Sequence, residues 1–153
     1  MDRWIEKFGG WVFKFHTTQG AIIYALIFAH ASLFVLFNYK AGGRIDPFYV
    51  FTDLCVLCSN KTEFFYNLGR IGFWLITLAV VAARLRTQPW LRAHWRKFHI
   101  LNYLAFMVIA LHGRFIGSDT LSSPFSWILI AYTLIIFGIV GYKIFEHFSG
   151  KEL

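Results

Sequence analysis

Four stretches of the chain run almost without charge, and short polar segments separate them. The first covers about 11–37, with Lys14, His16, Thr17, Thr18 and Gln19 near its start and His30 and Ser32 further on. The second covers 64–83. The third covers 98–116, its most apolar part ending at His112. The fourth covers 125–145 and carries no charge before Lys143. A helix needs about 20 apolar residues to cross a hydrocarbon core of about 30 Å. None of the stretches alternates strictly, as a membrane barrel strand would. An open sheet facing lipid would leave its edge groups unpaired. The pattern therefore predicts an all-α integral membrane four-helix bundle, a single transmembrane domain over 1–153. Residues 38–63 form its longest connection. Pro89, Pro124 and the Gly42-Gly43 pair fall between spans, where breakers are expected.

Composition strengthens this reading. The chain has 153 residues, of which 58% are hydrophobic, 20% aromatic and only 15% charged. A core of this size cannot bury such an excess, because small domains keep much of their surface exposed, and lipid is the remaining solvent. The formal charge of +7 would suggest a nucleic-acid partner in a soluble chain. Here the basic residues flank apolar runs, so membrane topology and anionic lipid account for them, and no nucleic-acid partner is expected. Arg3, Lys7, Lys14, Arg84, Arg86, Arg92, Arg96, Lys97, Lys143 and Lys151 belong to the N-terminus, the 84–97 loop and the C-terminus. Lys40, Arg44, Lys61, Arg70 and Arg114 belong to the opposite side. This bias puts both termini in the cytoplasm and the 38–63 loop outside. A bacterial inner membrane is the expected location. Lys14 and His16 interrupt the first apolar run, so it is read as a retained span rather than a cleaved signal.

Among so few polar positions, four histidines stand out. His16 and His30 lie 14 apart on the first span, and His99 and His112 lie 13 apart on the third. Ionisable groups inside a membrane are expensive and mark function, and neutral imidazole is a common metal ligand. At a rise of about 1.5 Å per residue, the two spacings correspond to about 21 and 20 Å. Spans one and three run the same way. His16 and His99 therefore share the cytoplasmic level, and His30 and His112 share the outer one. Two cross-helix pairs stacked through the membrane are the arrangement that two haems held between helices require. The angles fit less well: 13 steps leave the two side chains about 140° apart on an ideal helix. Gly20, between the first pair, leaves room for a flat macrocycle. Arg96 beside His99 and Arg114 beside His112 are candidates to hold propionates, and both also suit interfacial anchoring. His94 and His147 read as interfacial.

The run Trp95-Arg96-Lys97-Phe98-His99, followed by Tyr103 and His112, resembles the ferric reductase-like transmembrane superfamily. That group includes ferric reductases, NADPH oxidases and the haem subunit of the periplasmic methionine sulfoxide reductase system. Its larger members carry two histidines 14 apart on one helix and two 13 apart on a second parallel helix. The Leu68-Gly69-Arg70-Ile71-Gly72 entry to span two is similar to the family's Leu-Gly-rich helix start. The resemblance covers about 10–145. It implies two haem b groups, the inner held by His16 and His99 and the outer by His30 and His112, passing single electrons across the membrane. Larger members have six spans and often a fused flavin and nicotinamide domain. This chain has four spans and no Gly-rich dinucleotide loop. A separate donor protein or a membrane quinol is therefore the expected electron source, with an acceptor outside. Quinol-oxidising cytochromes b use a similar ligand geometry.

Cys55 and Cys58 form a Cys-Val-Leu-Cys motif in the outer loop. In an oxidising compartment this spacing suits a structural disulfide or a redox-active dithiol. A second ligand pair for zinc is missing. The motif resembles the active site of DsbB-type disulfide oxidases, which are also four-span proteins and react with quinone. Those proteins need another cysteine pair in the second outer loop, and residues 114–123 contain none. Besides electron transfer, the sequence leaves open a DsbB-like disulfide/quinone oxidoreductase and a structural subunit of a membrane complex. No nucleophile, general base or carboxylate pair lies within the spans, which argues against a hydrolase.

Overall fold

A computed structural model describes residues 6–43, 45–55 and 57–149. Arg3, Arg44 and Lys151 lie outside the described residues, as do the side chains of Arg96 and His147. Helix α1 spans Trp11–Gly42, a short α2 Pro47–Phe51, α3 Lys61–Arg84, α4 Pro89–Ile116 and α5 Phe125–Phe148. A single 3-10 turn, Asp119–Leu121, precedes α5. No strand occurs among the described residues. Four of these helices are long and apolar enough to cross a membrane. The protein is an all-α helical membrane bundle.

The helices begin and end where local chemistry dictates. α1 has 32 residues and runs past the expected Phe37 as far as Gly42. Its length is about 48 Å at 1.5 Å per residue, so it extends beyond the hydrocarbon. Gly43, at φ 71°, ends it by donating its N–H to the Tyr39 carbonyl, a left-handed cap that glycine adopts without a Cβ penalty. Gly42 itself is helical. The expected 38–63 loop is thus shorter, and α2 occupies part of it. Asn60 caps α3 by accepting the Glu63 N–H at 2.8 Å. The basic segment expected as an 84–97 loop is mostly helix, because Pro89 occupies the first turn of α4, where its missing N–H leaves no bond unmade.

In lipid each polar side chain must find a partner within the protein. Hydroxyls inside the spans do so on their own helices. Thr17 donates to the Phe13 carbonyl at 3.0 Å, Ser32 to Phe28 at 2.9 Å and Thr77 to Phe73 at 2.8 Å.

The closest packing joins α3 to α4 as an antiparallel hairpin. Its buried positions are small: Gly72, Ala79 and Ala82 on α3, and Ala105 on α4. Lipid tails are as apolar as leucine, so helices associate in a membrane through backbone approach at small residues. α1 rests on α3 through the Tyr24 and Thr77 hydroxyls, 3.2 Å apart, and through Phe34 against Tyr66. α5 lies beside α4. No Cα of α1 comes within 8 Å of one on α4 among the described residues. The two helices that carry the candidate histidines therefore keep their backbones apart.

A Cβ built on Gly72 would lie 2.5 Å from Ile109 Cγ1. Gly72→Ala is expected to destabilise the hairpin by about 1–3 kcal/mol, the usual cost of overpacking. Adding Ile109→Ala should recover part of it. Thermal unfolding in detergent measures both, and an unchanged melting point for Gly72→Ala would contradict the close approach.

Candidate functional site

The four histidines lie on α1 and α4, and the structure brings one predicted pair into contact. His16 on α1 and His99 on α4 have ring centres 5.8 Å apart and planes at 76°. Two imidazoles on one iron, with metal–nitrogen bonds of about 2 Å, have ring centres about 6 Å apart. The donor set and spacing of this pair therefore fit a shared metal. His16 is exposed and His99 half-buried. Trp95, one turn before His99, sets its ring 5.8 Å from the imidazole. Asn102, three residues later, places its amide 3.3 Å from His99 Nδ1. The contacting atom is the amide nitrogen Nδ2, which donates, so His99 Nδ1 accepts and the neutral ring carries its proton on Nε2.

The other predicted pair is built differently. His112 is half-buried and His30 exposed. His112 Nδ1 lies 2.8 Å from the Phe65 carbonyl of α3. A carbonyl only accepts, so Nδ1 carries the proton and Nε2 is the basic nitrogen of the neutral ring. A second-shell carbonyl of this kind orients a metal-binding imidazole. The contact is possible because Gly69 has no side chain: a Cβ there would lie 2.8 Å from both Cε1 and Nδ1 of His112. The angular offset from the 13-residue spacing is visible here. His99 meets α1, whereas His112 leans on α3.

Other predicted positions vary. Gly20 faces open space, with nothing within 4 Å of a built Cβ, so the structure leaves room there without showing what fills it. Arg114 is exposed in the last turn of α4. The Arg96 side chain lies outside the described residues. His94 donates through Nδ1 to the Trp90 carbonyl at 2.9 Å and stacks on the Trp90 ring, serving its own helix.

Cys55 and Cys58 form a disulfide, with Cα atoms 5.3 Å apart. Sulfurs joined to each other do not offer half of a zinc site. Among the described residues no group of three or more His, Cys, Asp or Glu side chains comes together. Pairs are what remain to hold a metal, as in bis-histidine haem.

Sequence reasoning missed the polar clamp under the disulfide loop. Arg70, counted there as an orientation signal, has its side chain only 3% exposed. It reaches back two turns along α3 to Glu63 Oε1 at 2.8 Å. Glu63, expected in the loop, sits instead in the first turn of α3. Its other oxygen accepts from the Tyr49 hydroxyl at 3.0 Å, and the Arg70 guanidinium lies 4.6 Å from the centre of the Tyr49 ring. Burial, and then the Glu63 carboxylate, push the Tyr49 phenol above its ordinary range. Buried Asn67 donates to the Cys55 carbonyl at 2.9 Å. α2 and the disulfide are thereby pinned to the end of α3. The seven-residue Glu63–Arg70 spacing was the available signal, and it is informative only once both residues are helical.

Comparison with family models, with curated proteins and with solved structures gives no match.

Removing one partner of a buried ion pair leaves the other charge unpaired. Glu63→Gln is expected to cost about 3 kcal/mol, and Glu63→Leu combined with Arg70→Leu to cost less than Glu63→Gln alone. Melting temperatures of the three proteins test this, and a harmless Glu63→Gln would contradict the burial of Arg70.

Proposed function

We propose that the protein conducts electrons across the membrane through two b-type haems. The observation that carries this reading is the His16–His99 pair. Two imidazoles on helices whose backbones stay apart face each other 5.8 Å apart. The second pair, His30 and His112, supports a second haem one level away. The resemblance to the ferric reductase-like superfamily agrees with both.

Bound haem would supply one-electron redox chemistry. Iron held by two imidazoles would have no open site for substrate, so the ligand set would suit conduction. The protein's own groups define the ligands. His112 donates Nδ1–H to Phe65 and presents Nε2. Asn102 holds the His99 ring through a bond to Nδ1, and binding iron through Nε2 would require that nitrogen to give up its proton. The gap beside Gly20 leaves space on α1 between the two levels. Arg114 at the outer level and Arg96 at the inner one are the cations for propionates. The lysine and arginine bias supports cytoplasmic termini, an outer 43–60 connection and a bacterial inner membrane. The donor is then a cytoplasmic protein or a membrane quinol, and the acceptor lies outside.

The closed Cys55–Cys58 disulfide favours a second reading, a DsbB-like disulfide and quinone oxidoreductase without haem. A membrane-complex subunit whose histidines only join helices is the third. A spectrum separates them.

Purified protein is expected to show the sharp reduced-minus-oxidised bands of six-coordinate haem b, with two haems per chain. His30→Ala, at an exposed position, should keep one haem and lose the other. A preparation that stays colourless after haem supplementation would falsify the proposal. Gly69→Ala pushes on the His112 ring and is expected to weaken binding of the outer haem about 10–100-fold, the usual effect of losing a second-shell partner. Haem titration of the variant measures it, and an unaltered outer site would show that the Phe65 contact is dispensable.

A further inference from the structure

We propose that the Cys55–Cys58 disulfide is the electron acceptor of the outer haem site, and that the dithiol so formed reduces disulfides of proteins outside the membrane. This rests on the conduit reading above and names its acceptor.

Phe65 links the two sites. Its carbonyl holds His112 Nδ1 at 2.8 Å, and the same residue lines a cleft of about 580 Å³ with Cys58. Phe64, Phe115 and Lys61 complete the cleft walls. Phe65 and Phe115 stack with ring centres 4.1 Å apart, which fixes one wall of the cleft that Cys58 lines. Asn67 and the Tyr49–Glu63–Arg70 clamp keep the cysteine loop against the end of α3.

A purely structural role is the weaker account of this disulfide. Disulfide stabilisation grows with the length of the loop closed, and this bond joins cysteines only 3 positions apart. The segment is already tied down by other bonds. Its setting suits exchange chemistry instead. Cys58 lies two residues before the Asn60 cap of α3 and shares the cleft with Lys61. A helix N-terminus and a nearby lysine both favour thiolate. Cys58 is therefore the attacking sulfur, and Cys55, whose carbonyl is held by Asn67, is the resolving one.

The chemistry balances. The disulfide takes up two electrons and two protons; the S–S bond breaks and two thiols form. Two b-type haems held by the histidines would supply one electron each, and the outer aqueous phase supplies the protons. Cys58 thiolate then attacks a substrate protein disulfide and releases one substrate thiolate. Cys55 attacks the mixed disulfide, re-forms Cys55–Cys58 and releases the second substrate thiol.

The test uses the haem-loaded protein, reduced without oxygen by one equivalent of dithionite per chain. The haem bands are expected to fade as two thiols per chain become reactive to a polyethylene-glycol maleimide, read as a gel shift. In the Cys55→Ser/Cys58→Ser double variant the bands should persist. In His30→Ala the thiols should appear at least tenfold more slowly. Alone in Cys55→Ser, the Cys58 thiol should react with a small aromatic disulfide at least tenfold faster than Cys55 does in Cys58→Ser. Persistent bands and unlabelled cysteines in the wild-type protein overturn this proposal and leave the conduit intact. Equal reactivity of the two single thiols overturns the assignment of Cys58. A colourless preparation overturns the conduit and this proposal with it.

Discussion

The close approach of α3 to α4 is the contact on which the rest of the molecule depends. It exists because side chains are missing at Gly69 and Gly72 and are minimal at Ala79, Ala82 and Ala105. Backbone approach substitutes for the hydrophobic effect, which cannot drive helices together in lipid. Three consequences follow. The His112 ring reaches a backbone carbonyl of the neighbouring helix. The start of α3 becomes a fixed platform for the cysteine loop. With α3 engaged on α4, α1 rests on α2 and α3, and its backbone stays apart from that of α4 among the described residues.

The platform end also shows how a membrane protein accommodates charge. Arg70 has no water to retreat into, so Glu63 answers its charge at 2.8 Å and the Tyr49 ring covers it. A buried pair of this kind contributes little net stability, because desolvation offsets most of the attraction. What it contributes is position. It has one low-energy arrangement, and that arrangement brings α2 and the disulfide to the side of α3 that carries the Phe65 carbonyl.

The four helices were legible in the sequence because their signal is long and simple: apolar runs of membrane length bounded by charge. Their ends were less so. Pro89 reads as a breaker in a linear scan, yet at the first turn it starts a helix. The Lys40 region reads as loop by charge, yet α1 carries it as far as Gly42. The histidine levels were legible from spacing alone, since helical rise is nearly constant, and the structure does bring His16 and His99 together. The supporting shell was not legible. Phe65 acts through its carbonyl, which every residue possesses, so no side-chain pattern could mark it. Gly69 was visible as a residue but not as a cradle, because that role needs the position of His112. Arg70 and Glu63 looked like a loop charge and a topology charge until the helix start placed them two turns apart on one face.

The two histidine levels are braced by different kinds of group, and this makes them unequal. Asn102 braces His99 with a side chain from the same helix, so that brace is independent of how α3 and α4 pack. The brace of His112 is a main-chain carbonyl of another helix. No substitution removes that acceptor; only a change in the distance between α3 and α4 does. The geometry of His112 is therefore tied to the packing of the whole hairpin. The same packing positions the cysteine cleft through Phe65 and Phe115. A displacement of α3 relative to α4 would shift the His112 imidazole and the cleft wall together while leaving the Asn102 brace of His99 in place. The His112 end is thus the one whose geometry the fold as a whole controls.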